Sequence, residues 1–310
     1  MRVFTDLSKL PKFNNSVITI GTFDGVHKGH QQLIKRITQL AKNINGESII
    51  VTFHPHPRLV ITPQDGSLQL LNTIEEKIAL LESYGIDNVV IVPFSRSFSE
   101  QSADDYIEYF LVKNFQPKQI VIGYDHKFGK NRSGDINLLR QMRHRFGYEV
   151  DEIQKETLEQ ITISSTKIRH ALTEGNIHTA NDLLGHNYTI EGLVVKGLQN
   201  GRKLGYPTAN ISISDAHKLV PRRGIYAAVV HHAGIKYGGM LSIGFNPTFN
   251  GNSLSVEVNI LNFDKEIYGE KITIELLQYI RDEKKFESMD ALTKAIDADK
   301  VAIEKVLNDH

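Results

Sequence analysis

Five β-rich runs recur through the first half of the chain: SVITI (16–20), SIIVTF (48–53), NVVIVPF (88–94), QIVIG (119–123) and YEVDEI (148–153). No other feature restricts the fold as tightly, because helical periods lie between them. In the first interval Leu33, Ile34, Ile37, Leu40 and Ile44 recur at i, i+3/i+4 and i+7, one apolar stripe of an amphipathic helix. Further helical periods run over about 74–84, 103–115 and 135–146. Strand and helix alternating at this spacing make βαβ units, and hence a mostly parallel, doubly wound sheet. Two short helices near 165–173 and 176–184 close this half.

Beyond LLGHNYTIEG the texture changes. IEGLVVKG, GIYAAVVHH, IKYGGMLSIG, SLSVEVNILNF and KITIELL are strand-like runs separated by Gly, Asn and Pro turns, with few helical periods. Many short strands with turn signals predict a compact antiparallel barrel, followed by a terminal helix over about 289–307. The chain of 310 residues is therefore expected to form two domains, 1–185 and 186–310.

Composition narrows the function. Lys and Arg number 36 against 36 Asp and Glu, and this balance argues against bulk nucleic-acid or membrane-surface binding. The absence of cysteine excludes disulfides, thiolate metal sites and a Cys nucleophile. MRVFTDLSKLPKFNNSVITI lacks the apolar core of a signal peptide, and no run is long enough to span a bilayer. A cytoplasmic enzyme is the expectation.

In an open α/β sheet, ligands bind beyond the carboxyl ends of the strands. GTFDG follows the first run, FHPHP closes the second, PFSRSF follows the third and GYDHKFG the fourth, so one rim collects four special loops. In GTFDGVHKGH (21–30), glycines permit close backbone approach, and His30 stands at a helix start, where free N–H groups and the dipole favour an anion. With His27, two imidazoles there make a place for phosphate oxygens. ISSTKIR (163–169) adds a second anion feature: Ser165 can cap a helix, Thr166 offers a hydroxyl, and Arg169 one turn on can fork onto phosphate.

These residues resemble the nucleotidyltransferase superfamily. The fuller GTFDGVHKGH with FHPHP and GYDHKFG is similar to the FMN adenylyltransferase module of prokaryotic FAD synthetases. The resemblance implies that His27 and His30 act on ATP phosphates with Gly21, Phe23 and Asp24 of their turn and with Ser165, Thr166 and Arg169. It places His56, Pro57, Asp125 and Phe128 on the flavin and nucleotide loops. His126 stands where that loop usually has an aromatic residue, which puts one apolar contact in question. FMN phosphate is already ionised near neutral pH, so this reaction needs alignment and charge stabilisation rather than a strong base.

GRKLGYPTANI (201–211) is a basic, glycine-rich turn running into a strand. Thr208 and Asn210 lie two apart and share one face, and their oxygens are hard ligands suited to Mg²⁺ beside phosphates. In SLSVEVNILNF, Val256, Val258 and Ile260 point one way, Glu257 and Asn259 the other. Together with RRGIYAAVV, SIGFNPTFNG and IRDEKKFESMDAL, these segments resemble the riboflavin kinase module across almost all of 186–310, a six-stranded antiparallel barrel with a terminal helix. The resemblance implies ATP binding by Gly201, Lys203, Gly205, Thr208 and Asn210, with Thr208 and Asn210 on Mg²⁺. It makes Glu257 the catalytic base and directs Arg281 towards the flavin. Riboflavin attacks with a neutral hydroxyl, so a carboxylate within hydrogen-bond reach is useful here and was not needed in the first half.

The expected enzyme phosphorylates riboflavin and then adenylylates FMN, with riboflavin, FMN, FAD and ATP as its small-molecule substrates and products. Two other readings are a cytidylyltransferase acting on an alcohol phosphate, and a monofunctional adenylyltransferase whose barrel only senses flavin.

Overall fold

The computed structural model describes residues 1–62, 68–153, 164–197, 200–248 and 251–309. The backbone divides into two compact units, Met1–Ser164 and Ser165–His310.

The first unit holds a six-stranded, wholly parallel sheet: β1 (Arg2–Phe4), β2 (Val17–Ile20), β3 (Ser48–His54), β4 (Asn88–Pro93), β5 (Gln119–Gly123) and β6 (Glu149–Ile153), in the order β1-β4-β3-β2-β5-β6. Helices α1 (Lys28–Asn43), α2 (Ile74–Ser83), α3 (103–115) and α4 (Ile136–Phe146) join the strands. The five expected strands and the helical periods are all present. The edge strand β1 was not legible, since three residues, two of them exposed, carry no periodicity. Within α3, Tyr106–Val112 winds as a π-helix, an irregularity no pattern announced.

The strands are apolar on both faces, as a sheet covered on both sides requires. Ile18, Ile20, Ile49, Val51, Val90, Val92, Ile120 and Ile122 pack with Tyr106, Ile107, Phe110 and Leu139. Val17, Ile50, Val89, Ile91 and Val121 pack with Ile34, Ile37 and Ala41 of α1 and Leu81 of α2. β2 lies between β3 and β5, so the strand order reverses there. That reversal opens a crevice at the carboxyl end of β2.

The second unit begins with α5 (Ser165–Thr173) and α6 (Ile177–Leu184) and continues into β7 (Tyr188–Val195), β8 (Ala209–Ser212), β9 (Gly224–His232), β10 (Ile235–Thr248), β11 (Gly251–Ile260), β12 (Lys271–Arg281) and α7 (Met289–Asn308). The strands close into a barrel in the order β10-β11-β8-β7-β12-β9, every pair antiparallel. Closure leaves no unpaired edge. Buried Ile168, Leu172, Ile177 and Leu184 give α5 and α6 an apolar face. Their polar ends are tied to the barrel: Arg222 N–H donates to Leu172 O (3.0 Å), Tyr188 N–H to Asn181 Oδ1 (2.8 Å), and Asn181 Nδ2 to Leu276 O (2.9 Å). By packing, then, these two helices go with the barrel.

Candidate active sites in the two units

At the end of β2 the chain makes a tight turn. Phe23 (φ 48°), Gly25 (φ 85°) and Val26 (φ 40°) are all left-handed, a conformation that an aromatic or β-branched residue adopts only under constraint. The constraints are visible. Thr22 O accepts from Lys77 Nζ (2.7 Å) and Thr52 Oγ1 (3.2 Å), and Val26 O from Gln31 Nε2 (2.9 Å). Buried Asp24 accepts the backbone N–H groups of Leu71 (2.8 Å) and Asn72 (3.4 Å) through Oδ1. A Cβ on Gly21 would meet the Phe23 ring at 3.2 Å, so the turn favours glycine there.

His27 is the N-cap of α1: its Nδ1 accepts the His30 N–H (3.4 Å), which in the neutral ring leaves the proton on Nε2. His30 lies one turn inside, stacked on His27 at 3.7 Å between ring centroids and 5.0 Å from Phe23. Burial, then the adjacent His27 and Lys77, hold His30 well below the usual imidazole range. Its Nδ1 is buried and meets no hydrogen-bond partner among the described residues. A neutral imidazole with an unmet ring nitrogen suits a site that binds something further.

Lys77 went unnoticed in the sequence, where IEEKIALLES reads as an ordinary amphipathic helix with a solvated lysine. It is 6% exposed, and burial lowers its ammonium to about 8, opposed by the nearby Asp24 charge. The signal available was the TIEE capping box, formed as Thr73 and Glu76, which fixes the helix start and so turns Lys77 inward.

The other rim loops lie at the ends of their own strands. His56 caps a short helix that begins at Pro57, its Nδ1 accepting from Arg58 N–H (3.2 Å). Asp125 is exposed. Phe128 is buried, stacked on Tyr106 at 4.9 Å between centroids, and bridges to Gly134. His126 packs 5.9 Å from Phe128, and burial drops its imidazole to about 4, with Asp125 opposing and Arg132 assisting. It is thus neutral at physiological pH and takes the place of an aromatic ring without adding a titrating charge.

Ser165 is the first residue of α5; Thr166 is exposed and Arg169 half-buried. These three residues belong to the second unit, and Ile163 of the same motif lies outside the described residues.

In the barrel, β8 and β11 pair with Asn210 opposite Glu257. Thr208, just before β8, donates its hydroxyl to Glu257 Oε2 (3.0 Å). Thr208, Asn210 and Glu257 are all half-buried while Ala209, Ile211, Val256 and Val258 are buried, the alternation read from the sequence. Asn259, on the same face as Glu257, is buried and donates to Pro207 O (2.7 Å), which steadies the PTAN segment. Gly201 lies on a short helical turn where a Cβ would stand 2.3 Å from Tyr206 O, and Gly205 takes φ 80°. The side chain of Lys203 lies outside the described residues. Beside Thr208 a cleft of about 300 Å³ is walled by Val194, Pro207, Ala209, Ile260 and Ile267, with Arg202 and Lys265 among its polar lining.

Arg281 ends β12, and its guanidinium forks onto Asp299 of α7 at 2.7 and 2.6 Å, with a third bond to Asp282 O (2.9 Å). Its plane lies 5.7 Å from the Phe286 ring. The sequence did not anticipate Asp299, nor Asp297 on the same helix, which accepts from Tyr206 Oη. Nearby, Arg222 pairs with Asp282 (2.8 Å), and Arg222, Arg223, Asp282 and Glu283 line a second cleft.

An FAD synthetase family model matches residues 9–167, and a riboflavin kinase family model matches 184–307. The first runs past the packing division at Ser164. A Listeria monocytogenes protein named bifunctional riboflavin kinase/FMN adenylyltransferase is 38% identical, covering 92% of this chain and 90% of its own. Proteins of the same name from Buchnera aphidicola and Escherichia coli are 36% and 34% identical, over 100% and 97% of this chain and 99% and 95% of theirs. A crystal structure described as a macrolide-efflux protein from Streptococcus pneumoniae aligns with TM-score 0.83 at 31% identity, over 97% of this chain and 98% of that one. Among the described residues no helix is long and apolar enough to cross a membrane.

Proposed function

The chain belongs to the family of bifunctional riboflavin kinase/FMN adenylyltransferases, and from that premise we propose how its residues divide the two reactions. The enzyme phosphorylates riboflavin with ATP to give FMN, then joins FMN to the AMP of a second ATP to give FAD and pyrophosphate. The observation that carries the division is chemical: the half-buried carboxylate beside hydroxyl and amide ligands lies in the barrel, whereas the sheet presents stacked imidazoles.

In the barrel, Glu257 accepts the proton of the riboflavin 5′-hydroxyl as its oxygen attacks the γ-phosphorus, and ADP leaves. The Thr208 hydroxyl now bonded to Glu257 and the Asn210 amide oxygen form a hard-oxygen donor set that fits Mg²⁺, which would shield phosphate charge when bound with ATP. The cleft beside Thr208, with Gly201, Lys203 and Gly205 on the preceding turn, is the nucleotide subsite. Arg281 is committed to Asp299, so its part is to hold the 281–286 segment for the flavin.

In the sheet domain, an oxygen of the FMN phosphate attacks the α-phosphorus of ATP, and the bond to the pyrophosphate oxygen breaks. His27 and His30 donate to ATP phosphate oxygens, positioned by Gly21, Phe23 and Asp24. Ser165, Thr166 and Arg169 serve this reaction by the likeness of their motif, with 185/186 kept as the functional boundary. His56, Pro57 and Asp125 take the flavin and nucleotide loops, and buried Phe128 shapes its loop from beneath. We place the enzyme in the cytoplasm, where ATP and riboflavin meet.

The test is to incubate the protein with riboflavin, ATP and Mg²⁺ and separate the flavins over time. FMN followed by FAD is expected. FAD formed only from supplied FMN would reduce the barrel to a flavin sensor and overturn the reading.

A further inference from the structure

We propose that Lys77 is a positioning residue for adenylylation: its ammonium fastens the backbone of the histidine turn and supplies that turn with a fixed positive charge. The inference rests on placing adenylylation at His27 and His30.

A lysine is almost never as buried as Lys77 unless something holds it there. What holds it is the turn itself. Nζ donates to Thr22 O (2.7 Å), the carbonyl immediately before left-handed Phe23, and that turn goes on to a left-handed valine. Such backbone persists only where its surroundings over-determine it. Thr52 shares the same carbonyl, Gln31 takes Val26 O, and Asp24 is held by two N–H groups, so hydrogen bonding alone could have been completed by a neutral side chain. Lys77 differs from those in carrying a full positive charge.

Two charged or titratable groups among the described residues interact with that ammonium. Asp24 on the turn favours its charge, and His30 on α1 feels it, together with the stacked His27. On its own helix Glu76 accepts the Thr73 N–H (2.9 Å). Burial brings Lys77 to about 8, so the charge is present below that pH and lost above it. The same charge helps keep His30 neutral, so its imidazole meets phosphate as a hydrogen-bond donor while Lys77 provides the charge.

The test uses the full-length enzyme with Lys77→Arg, Lys77→Met and the pair Lys77→Met/Asp24→Asn. FAD formation from FMN is followed from pH 6 to 9.5, and circular dichroism with thermal unfolding of 1–164 bearing the same substitutions reports that the sheet domain of each variant is folded. Lys77→Met is expected to lower kcat/KM for ATP in adenylylation by roughly 10–100-fold. The wild-type rate should fall above about pH 8, and Lys77→Arg should carry activity to higher pH. The double variant restores charge balance; it should recover thermal stability and remain slow. A full rate from the double variant, a rate within twofold from folded Lys77→Met, or an alkaline limb unmoved in Lys77→Arg would each overturn the proposal. His30→Ala separates the two layers: if it is slow while Lys77→Met is not, only the role of Lys77 falls. If His30→Ala is also at full rate, the site placement falls with it.

Discussion

Where the chain is cut decides which activity survives, and the packing of α5 and α6 makes the outcome quantitative. A fragment 186–310 keeps Thr208, Asn210, Glu257 and Arg281 but removes several hydrogen-bond partners of the barrel, three of which serve its backbone: Leu172 O for Arg222 N–H, and both ends of the Asn181 side chain, for Tyr188 N–H and Leu276 O. At about 0.5–1.5 kcal/mol net for each bond, the loss is roughly 2–4 kcal/mol. For a domain of this size that lowers Tm by on the order of 10 °C. Uncovering whatever Ile168, Leu172, Ile177 and Leu184 pack against adds to it. Thermal unfolding of purified 165–310 and 186–310, each with its riboflavin kinase rate, makes the comparison. Both should make FMN and neither FAD, with 165–310 the more stable. Midpoints within about 2 °C would show that α5 and α6 do not brace the barrel. A folded 186–310 without kinase activity would mean the kinase site is incomplete without them. The complementary fragments invert the pattern: 1–185 retains Ser165, Thr166 and Arg169 and should adenylylate FMN, whereas 1–164 should do so poorly.

The activities should separate by single substitution in the whole enzyme. His30→Ala is expected to slow FAD formation from FMN by roughly 10²–10³ with the kinase rate near wild type. Glu257→Gln should do the reverse, slowing riboflavin phosphorylation by on the order of 10²–10⁴; equal damage to both reactions in a folded variant would sink the two-site assignment. His126→Phe should leave the adenylylation profile unchanged between pH 5.5 and 8, because the imidazole is already neutral there. A depressed His contributes stability above its unfolded value near 6.5 that is lost as pH falls towards 4, so urea titrations should show His126→Phe gaining on wild type through that window. Asp299→Asn strips the fork from a partly buried Arg281 and should cost roughly 3 kcal/mol, seen as a lower urea midpoint. Arg281→Lys should raise KM for riboflavin more than for ATP; an unchanged riboflavin KM would remove Arg281 from the flavin side.

Much of this was legible because it is periodic or local. Helical stripes and β-branched runs locate α2 and the strands β2 to β6 to within a residue or two, the barrel strands to within about four, and the change of texture near 185 marks the arrival of the barrel. The motif residues were found because unusual chemistry at a strand end stands out against its neighbours. What escaped was settled by partners distant in sequence. Lys77 looks solvated until Thr22 and Asp24 arrive from another loop. Arg281 looks free to reach a ligand until α7 brings Asp299 to it. His126 looks able to titrate until its loop folds down beside Phe128. Strand β1 is only three residues long, and the lodging of α5 and α6 against the barrel depends on surfaces that a linear pattern does not reveal.

The register of β8 on β11 has a consequence for how this enzyme tolerates change. Asn210 stands opposite Glu257 in the ladder, and Thr208 reaches the same carboxylate from just before β8. The spacing between Glu257, as the proposed base, and Thr208 and Asn210, as the proposed nucleotide ligands, is therefore set by backbone pairing in a closed sheet, not by the loops that join the strands. Insertions or exchanges in those loops can alter which flavin or nucleotide is admitted while the phosphoryl-transfer geometry stays as it is. A one-residue slip of β8 would instead turn Asn210 to the other face and bring Ala209 or Ile211 opposite the carboxylate. Recognition can drift gradually in this module, whereas phosphoryl transfer is kept or lost as a whole.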